Sequence, residues 1–437
     1  MTVFFITFGC KVNCYETECL KSDFIKNGFE LSPSENADII VVNSCTVTSE
    51  SDKKLRQTLH RLKKLHPEST VVLTGCFPQA FPEKASLTLP ADVITGTKNK
   101  SETPLLVKQY LENLPDSPLI KVEKYSKDDP FDEMRCSFFE DKTRAFIKIQ
   151  DGCNQFCSYC IIPYSRGRIR SKAPEKLKEE IEGFAASGHK EMVLTGINLA
   201  FYGWEYGLSL TDAVEICCSV PGVERVRLGS LEPEKISDSD LARLSKLSQF
   251  CPQFHLSLQS GCEKTLKDMN RKYTAAEYAA LVEKIRSIFP DASVTTDVMT
   301  GFPGETEEDF LESLEFVKKI GFSKIHVFPY SVRTGTKAAS MPLQLSHTVK
   351  NERAARMALA GKESEQRFLE AQTGKTFPVL FEKENCTDFH QGYSPNYTLV
   401  KIPRCSGINS LRNKIFYVNI KRAMNDFCIG EIQTPEK

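Results

Sequence analysis

The stretch DGCNQFCSYCIIPYSRGR, from Asp151 to Arg168, sets Cys153, Cys157 and Cys160 at a C-x-x-x-C-x-x-C spacing directly after an apolar run. Three thiols so close together, with no fourth nearby, fill three coordination positions of an iron–sulfur cube and leave one iron open. An open position on a metal centre signals chemistry rather than scaffolding. The alternative is a structural zinc knot, which wants a fourth Cys or His close by. The nearest histidine in sequence, His189, follows a predicted helix.

Outward from this loop the middle of the chain repeats strand then helix about six times. The strand-like runs are Arg144–Gln150, Glu191–Leu194, Arg225–Leu228, Gln253–Leu258, Ser293–Val298 and Lys324–Phe328. Amphipathic segments lie between them, such as the one that starts at Pro174 and stops at Gly188. Six β/α units predict a partial (β/α)6 barrel whose working residues sit at the C-terminal strand ends. Those ends carry Thr195-Gly196-Ile197-Asn198, Ser230-Leu231-Glu232-Pro233, Gln259-Ser260-Gly261, Asp297, Thr300 to Thr306 and Tyr330-Ser331. Polar, glycine-rich ends beside a cluster suit a polar cofactor, although Gly196, Gly301 and Gly304 are equally explained as turn formers. His255 and His326 fall inside strands and read as packed core histidines.

The first hundred-odd residues predict an open parallel sheet. VFFITFG (Val3 to Gly9), ADIIVVN (Ala37 to Asn43) and STVVLTG (Ser69 to Gly75) are short β-branched runs, each followed by a helix-like segment. Cys10, Cys45 and Cys76 come one or two residues after these runs. Strands of a parallel sheet end on one edge, so three cysteines far apart in sequence are predicted to converge. The competing reading is three unrelated buried cysteines; Cys14 and Cys19, in the following helix, read as ordinary thiols. Lys53, Lys54, Arg56, Arg61, Lys63 and Lys64 follow Cys45 on one helix, which reads as a solvated face or, less simply, as a phosphate-binding one.

Lys plus Arg and Asp plus Glu both number 57 in 437 residues, so no bulk charge announces a polyanionic partner. The N-terminal run MTVFFITFGC lacks a basic flank or cleavage site, and no 18-residue apolar run predicts a membrane helix; the expectation is a cytoplasmic protein. Sixteen cysteines in such a protein argue for metal or redox chemistry more than for disulfides. The divisions expected are 1–114 for the first domain, a proline- and acid-rich connection at 115–138, the core at 139–370 and a last module at 371–437. From Lys375 on, runs such as FPVLFEK and KIFYVNIKRA predict a small antiparallel barrel. Nine Lys or Arg stand there against six acids, and Tyr393 and Tyr397 read as exposed aromatics, a combination compatible with RNA binding.

Taken together these residues resemble the radical S-adenosylmethionine methylthiotransferases over nearly the whole chain. The resemblance implies a 4Fe–4S cluster on Cys153, Cys157 and Cys160 whose open iron chelates S-adenosylmethionine. It implies a second, auxiliary 4Fe–4S cluster on Cys10, Cys45 and Cys76, within TFGCKVN, VNSCTVT and LTGCFPQ. The last module resembles the family's TRAM domain. GCKVN resembles the branch acting on threonylcarbamoyladenosine beside the tRNA anticodon; the isopentenyladenosine branch reads GCQMN and the ribosomal-protein aspartate branch GCPKN. Cys14 and Ser257 depart from the pattern, where Gln and Pro are expected.

The activity implied is reductive cleavage of S-adenosylmethionine, hydrogen abstraction at adenine carbon-2, and transfer of a methylthio group from the auxiliary cluster. Tyr159, Thr195, Gly196, Asn198, Ser230 and Gln259 are the residues expected to contact the cofactor. The partners implied are the tRNA anticodon stem–loop and an electron donor such as flavodoxin or ferredoxin, acting on a monomer. Two other classes compete: a non-catalytic iron–sulfur protein that binds RNA or carries electrons, and a zinc-structured scaffold.

Overall fold

The computed structural model describes all residues except 137–138, 140–142, 384–387, 405–409 and 434–437. Position 138, where the connection was placed to end, and Glu384, Glu436 and Lys437 of the charge count therefore lie outside the described residues. The first unit is a six-stranded parallel sheet in the order β2-β1-β3-β4-β5-β6. Its strands are β1 (Thr2–Thr7), β2 (Glu30–Leu31), β3 (Ile39–Ser44), β4 (Thr70–Gly75), β5 (Val93–Thr95) and β6 (Leu119–Lys121). Helices α1 (Lys11–Lys26), α2 (Ser49–Leu65), α3 (Cys76–Ala80), α4 (Pro82–Thr88) and α5 (Thr103–Asn113) connect them. β3 and β4 are buried at every position, which explains their unbroken apolar runs. β6 lies inside the stretch read as a connection. Its pairing of Val93 with Leu119 and Thr95 with Lys121 makes it the sheet's last strand.

α1 is buried on two faces. Phe24 joins Val3, Ile39 and Val41 of the sheet, while Tyr15, Cys19 and Leu20 join Ile147, Ile181 and Met192 of the central unit. Buried polar residues fill the junction: the Tyr15 hydroxyl lies 2.6 Å from Glu180 and 2.7 Å from the Met134 carbonyl. Cys19 is thus a core thiol shared by two units.

The central unit is an arc of parallel strands: β7 (Arg144–Asp151), β9 (Glu191–Gly196), β10 (Arg225–Leu228), β12 (Gln253–Leu256), β13 (Ser293–Thr300) and β14 (Lys324–Pro329). Two short strands accompany them, β8 (Arg170–Ser171) antiparallel to β7 and β11 (Ser230–Leu231) beside β12. The two halves, β10-β9-β7-β8 and β11-β12-β13-β14, meet where Val226 donates to Gln249 and Cys251 donates to Val226. A long helix, His347–Glu370, covers β14, with Ser364 donating to the Phe322 carbonyl at 2.6 Å.

The last unit is a closed five-stranded barrel of β15 (Thr376–Phe381), β16 (Phe389–Tyr393), β17 (Leu399–Pro403), β18 (Ile415–Ala423) and β19 (Cys428–Ile432). Four of its ladders are antiparallel; β17 and β19 close it in parallel. Two sequence expectations are corrected here. Tyr393 and Tyr397 are not exposed platforms: their rings stack on each other, each 5.0 Å from the Arg144 guanidinium, and the Tyr397 hydroxyl takes a 2.7 Å hydrogen bond from Arg144. Arg225 and Arg227 donate to the Tyr393 and Pro395 carbonyls at 2.9 and 2.8 Å. These aromatics dock the barrel on the arc. His255 and His326 are likewise not packed among apolar groups. The strand alternation turns both toward a polar cavity of about 420 Å³ that Gln253, Thr295, Lys324, Asn396 and Tyr397 also line. There the His255 ring lies 2.9 Å from the Thr295 hydroxyl and 3.3 Å from Asp297.

Glu191 anchors the docking arginines, 2.8 Å from Arg227 and 3.4 Å from Arg225. Burial alone would raise its carboxyl, but Arg227, Arg144 and Arg225 outweigh that and lower it from 4.5 to about 2. A depressed folded-state value stabilises above the unfolded value and is lost as pH falls through about 2. The attachment is therefore expected to lose about 3 kcal/mol over that window. Unfolding followed against pH checks this, and Glu191→Gln should flatten the dependence.

Candidate active site

The three cysteine-bearing strands β1, β3 and β4 are neighbours, held in register from Val3 beside Ile39 to Ser44 beside Gly75. With about 4.8 Å between adjacent strands, Cys10, Cys45 and Cys76 come together on one edge. Cys45 and Cys76 are buried and Cys10 is open at the rim. Burial, followed by the neighbouring Cys76, pushes the Cys45 thiol up to about 12, so a thiolate there calls for a cationic centre. Gly9, at φ +102°, leaves the backbone room to pass Cys45, since a side chain there would put its Cβ 2.7 Å from the Cys45 Cβ and 2.9 Å from its Sγ. Gly9→Ala is expected to cost about 1–3 kcal/mol. Denaturant unfolding of the variant beside the parent chain checks this.

The second triad lies at the end of β7. Gly152, at φ +74°, admits the Arg168 carbonyl where a Cβ would stand 1.8 Å from it, and Cys153 N–H donates to the Gly167 carbonyl at 3.0 Å. The loop is thereby closed on the residues just past the short helix α6 (Ile162–Arg166). Asn198 donates to the Cys153 sulfur at 3.4 Å and Arg271 to the Cys157 sulfur at 3.3 Å. Burial raises the Cys153 and Cys160 thiols, with Cys157 adding to both. Among the described residues, no three His, Cys, Asp or Glu side chains converge as a single-ion site requires. Each triad offers three thiols, the number that three irons of a cube take at one thiolate apiece.

A cavity of about 180 Å³ lies beside Cys160 and the loop that follows Cys45. Val47 and Thr48 line it from the loop after Cys45, Tyr159 and Cys160 from the second triad, and Gln259, Asp297, Met299, Phe328 and Ser331 from the strand ends. Ser49 N–H donates to the Ser331 hydroxyl at 2.9 Å, and Arg333 bridges Thr46 and Asp52 at 2.6 and 2.8 Å, which holds this face of the first unit against the arc. Of the expected cofactor contacts, Tyr159 and Gln259 line the cavity, and Asn198 reaches Cys153. Thr195 and Gly196 end β9 beside Gln150, whose amide oxygen accepts from Asn198 N–H at 2.6 Å. Ser230 stands apart and lines the larger polar cavity with Lys11 and His255.

The sequence reading missed Gln150, Arg166 and Arg271. Arg166 lies inside the quoted loop, but only the fold reveals that its partner sulfur belongs to the other triad. On α2, Lys53, Lys54, Arg56 and Lys64 are exposed, whereas Arg61 pairs with Glu35 and Lys63 with Asp92.

The profile of the radical SAM superfamily matches residues 147–317, and that of uncharacterized protein family UPF0004 matches residues 2–96. The structure superposes on the radical S-adenosylmethionine methyltransferase TsrM of Kitasatospora setae with a TM-score of 0.58 at 14% identity, covering 77% of each chain. The arc, with three thiols at the end of its first strand, is therefore that of a radical SAM enzyme. The chain is 36% identical to threonylcarbamoyladenosine tRNA methylthiotransferase MtaB of Bacillus subtilis (strain 168), over 97% of this chain and 94% of that one. It is 38% identical to the protein of the same name from Thermotoga maritima, over 91% and 90%. It is 34% identical to the tRNA-2-methylthio-N(6)-dimethylallyladenosine synthase of Caldicellulosiruptor saccharolyticus, over 99% and 92%. The chain belongs to the radical S-adenosylmethionine methylthiotransferase family, whose superfamily works with a 4Fe–4S cluster and S-adenosylmethionine. No described helix is long and apolar enough to cross a membrane.

Proposed function

We propose that this protein installs a methylthio group on carbon-2 of threonylcarbamoyladenosine next to the tRNA anticodon. The observation that carries the reading is a cavity lined by Cys160 of the second triad and by Val47 and Thr48, which follow Cys45 of the first. Cys153, Cys157 and Cys160 would hold the cluster that binds S-adenosylmethionine, and Cys10, Cys45 and Cys76 a second 4Fe–4S cluster. When bound, the first supplies reductive cleavage of S-adenosylmethionine and the second supplies the sulfur.

The chain's own residues prepare the space. Asn198 and Arg271 donate to cysteine sulfurs and fix the loop. Val47, Met299, Phe328 and Pro329 give the cavity apolar walls that flank a planar base and exclude water. Tyr159, Gln259, Asp297 and Ser331 supply its polar groups; Gln259, at φ +67°, is pinned by donating its N–H to the Asp297 carbonyl at 2.8 Å. Tyr159, Thr195, Gly196, Asn198 and Gln259 remain the residues assigned to the cofactor, with Ser230 the outlying member.

The substrate assignment rests on GCKVN at Gly9–Asn13 and on relatives named for threonylcarbamoyladenosine at 35–38% identity. We place the enzyme in the cytoplasm as a monomer that takes electrons from a flavodoxin- or ferredoxin-type donor. Mass spectrometry of tRNA nucleosides from a cell lacking this gene tests the proposal. The methylthio form of threonylcarbamoyladenosine is expected to vanish; loss of the methylthio-isopentenyl form, or no change, would overturn it.

A further inference from the structure

Arg166 belongs to the loop of the second triad, yet its guanidinium is directed at the first. The side chain is fully buried, with Nε 3.2 Å from the Cys76 sulfur and Nη2 2.6 Å from Asn13 Oδ1. Nη1 is bonded to Glu16. Asn13 in turn donates to the Phe8 and Ser44 carbonyls at 2.8 and 3.0 Å, just ahead of Cys10 and Cys45. One side chain thus reaches Cys76 directly and the other two cysteine loops through one amide.

The surrounding charge points the same way. Glu16 and Asp151 are the carboxylates in ion pairs here, and Lys100, Lys148, Arg166 and Arg170 are their cations. Asp132, close by, still leaves the cations in excess. A buried cationic surplus is costly unless an anionic group completes it, and a set of thiolates on a cluster is such a group.

Resting on the reading of Cys10, Cys45 and Cys76 as a cluster site, we infer that Arg166 is a positioning residue for that cluster and raises its reduction potential. Hydrogen bonds to sulfur and nearby positive charge both favour the reduced, more anionic state of an iron–sulfur cluster.

The full chain carrying Cys153→Ala, Cys157→Ala and Cys160→Ala, reconstituted with iron and sulfide without oxygen, isolates the auxiliary cluster for a redox titration followed by electron paramagnetic resonance. Adding Arg166→Gln is expected to lower the reduced-to-oxidised ratio at fixed potential about tenfold, equivalent to about 59 mV for one electron. Arg166→Lys, which keeps the charge, should recover at least half of that shift. An unchanged midpoint in the loaded Arg166→Gln chain would overturn the inference. Should that variant not fold, the triple-alanine chain labelled with ¹⁵N-arginine carries the test. A ¹⁵N nucleus coupled to the reduced cluster is expected in pulsed resonance spectra, and its absence overturns the inference. A triple-alanine chain that takes up no iron would instead remove the cluster reading itself.

Discussion

A chain in which Cys10, Cys45 and Cys76 are all alanine is expected to go on cleaving S-adenosylmethionine to 5′-deoxyadenosine under reduction while forming no methylthiolated nucleoside. The expectation follows from what holds the sulfurs of the second triad. The second is held by Gly152, Asn198 and Arg271, all within the arc, and none of these touches the first sheet's cysteines. The reciprocal chain, with Cys153, Cys157 and Cys160 as alanine, should lose both 5′-deoxyadenosine and product. Chromatography of the nucleosides released in single-turnover reactions measures both species. If the first variant still made product, the strand-end triad would have no part in the reaction. If it lost cleavage as well, the two triads would not act separately.

Glu16→Gln carries the second large effect, on stability. The Glu16 carboxylate is buried between Lys100 at 2.5 Å, Lys148 at 3.0 Å and Arg166. Burial would raise it, but Arg166, Lys100 and Lys148 together hold it well below the usual carboxylate range. Removing one charge from such a set leaves the others buried without compensation, a loss of about 3–5 kcal/mol. Denaturant unfolding should show it as a lower midpoint with little change in slope. Because the partners come from both units, the loss should affect one joint transition and not the first unit alone. A variant as stable as the parent would mean that water or rearranged partners already compensate the cluster.

The strand-end cysteines were legible because a parallel sheet turns a spacing in sequence into a common edge, and β-branched runs mark where each strand stops. The partial barrel was legible for the same reason. The two-sided burial of α1 was not. Asn13 and Glu16 are polar, yet they are buried against partners far along the chain, Arg166 for both and Lys100 for Glu16. The docking role of Tyr393 and Tyr397 was hidden similarly, since an aromatic beside Gly and Pro looks the same whether it meets RNA or three arginines of a neighbouring unit. β6 is three residues long and flanked by Pro118, so only its register with β5 identifies it. His255 and His326 were misplaced because an interior strand position normally faces apolar packing, whereas this arc keeps a polar interior.

The most direct test uses the purified chain, reconstituted anaerobically and supplied with S-adenosylmethionine, dithionite and tRNA from cells lacking the gene. Mass spectrometry of the digested tRNA should show threonylcarbamoyladenosine converted to its methylthio form, with 5′-deoxyadenosine accumulating alongside. Isopentenyladenosine gaining the group instead, or 5′-deoxyadenosine appearing with every nucleoside unchanged, would contradict the account.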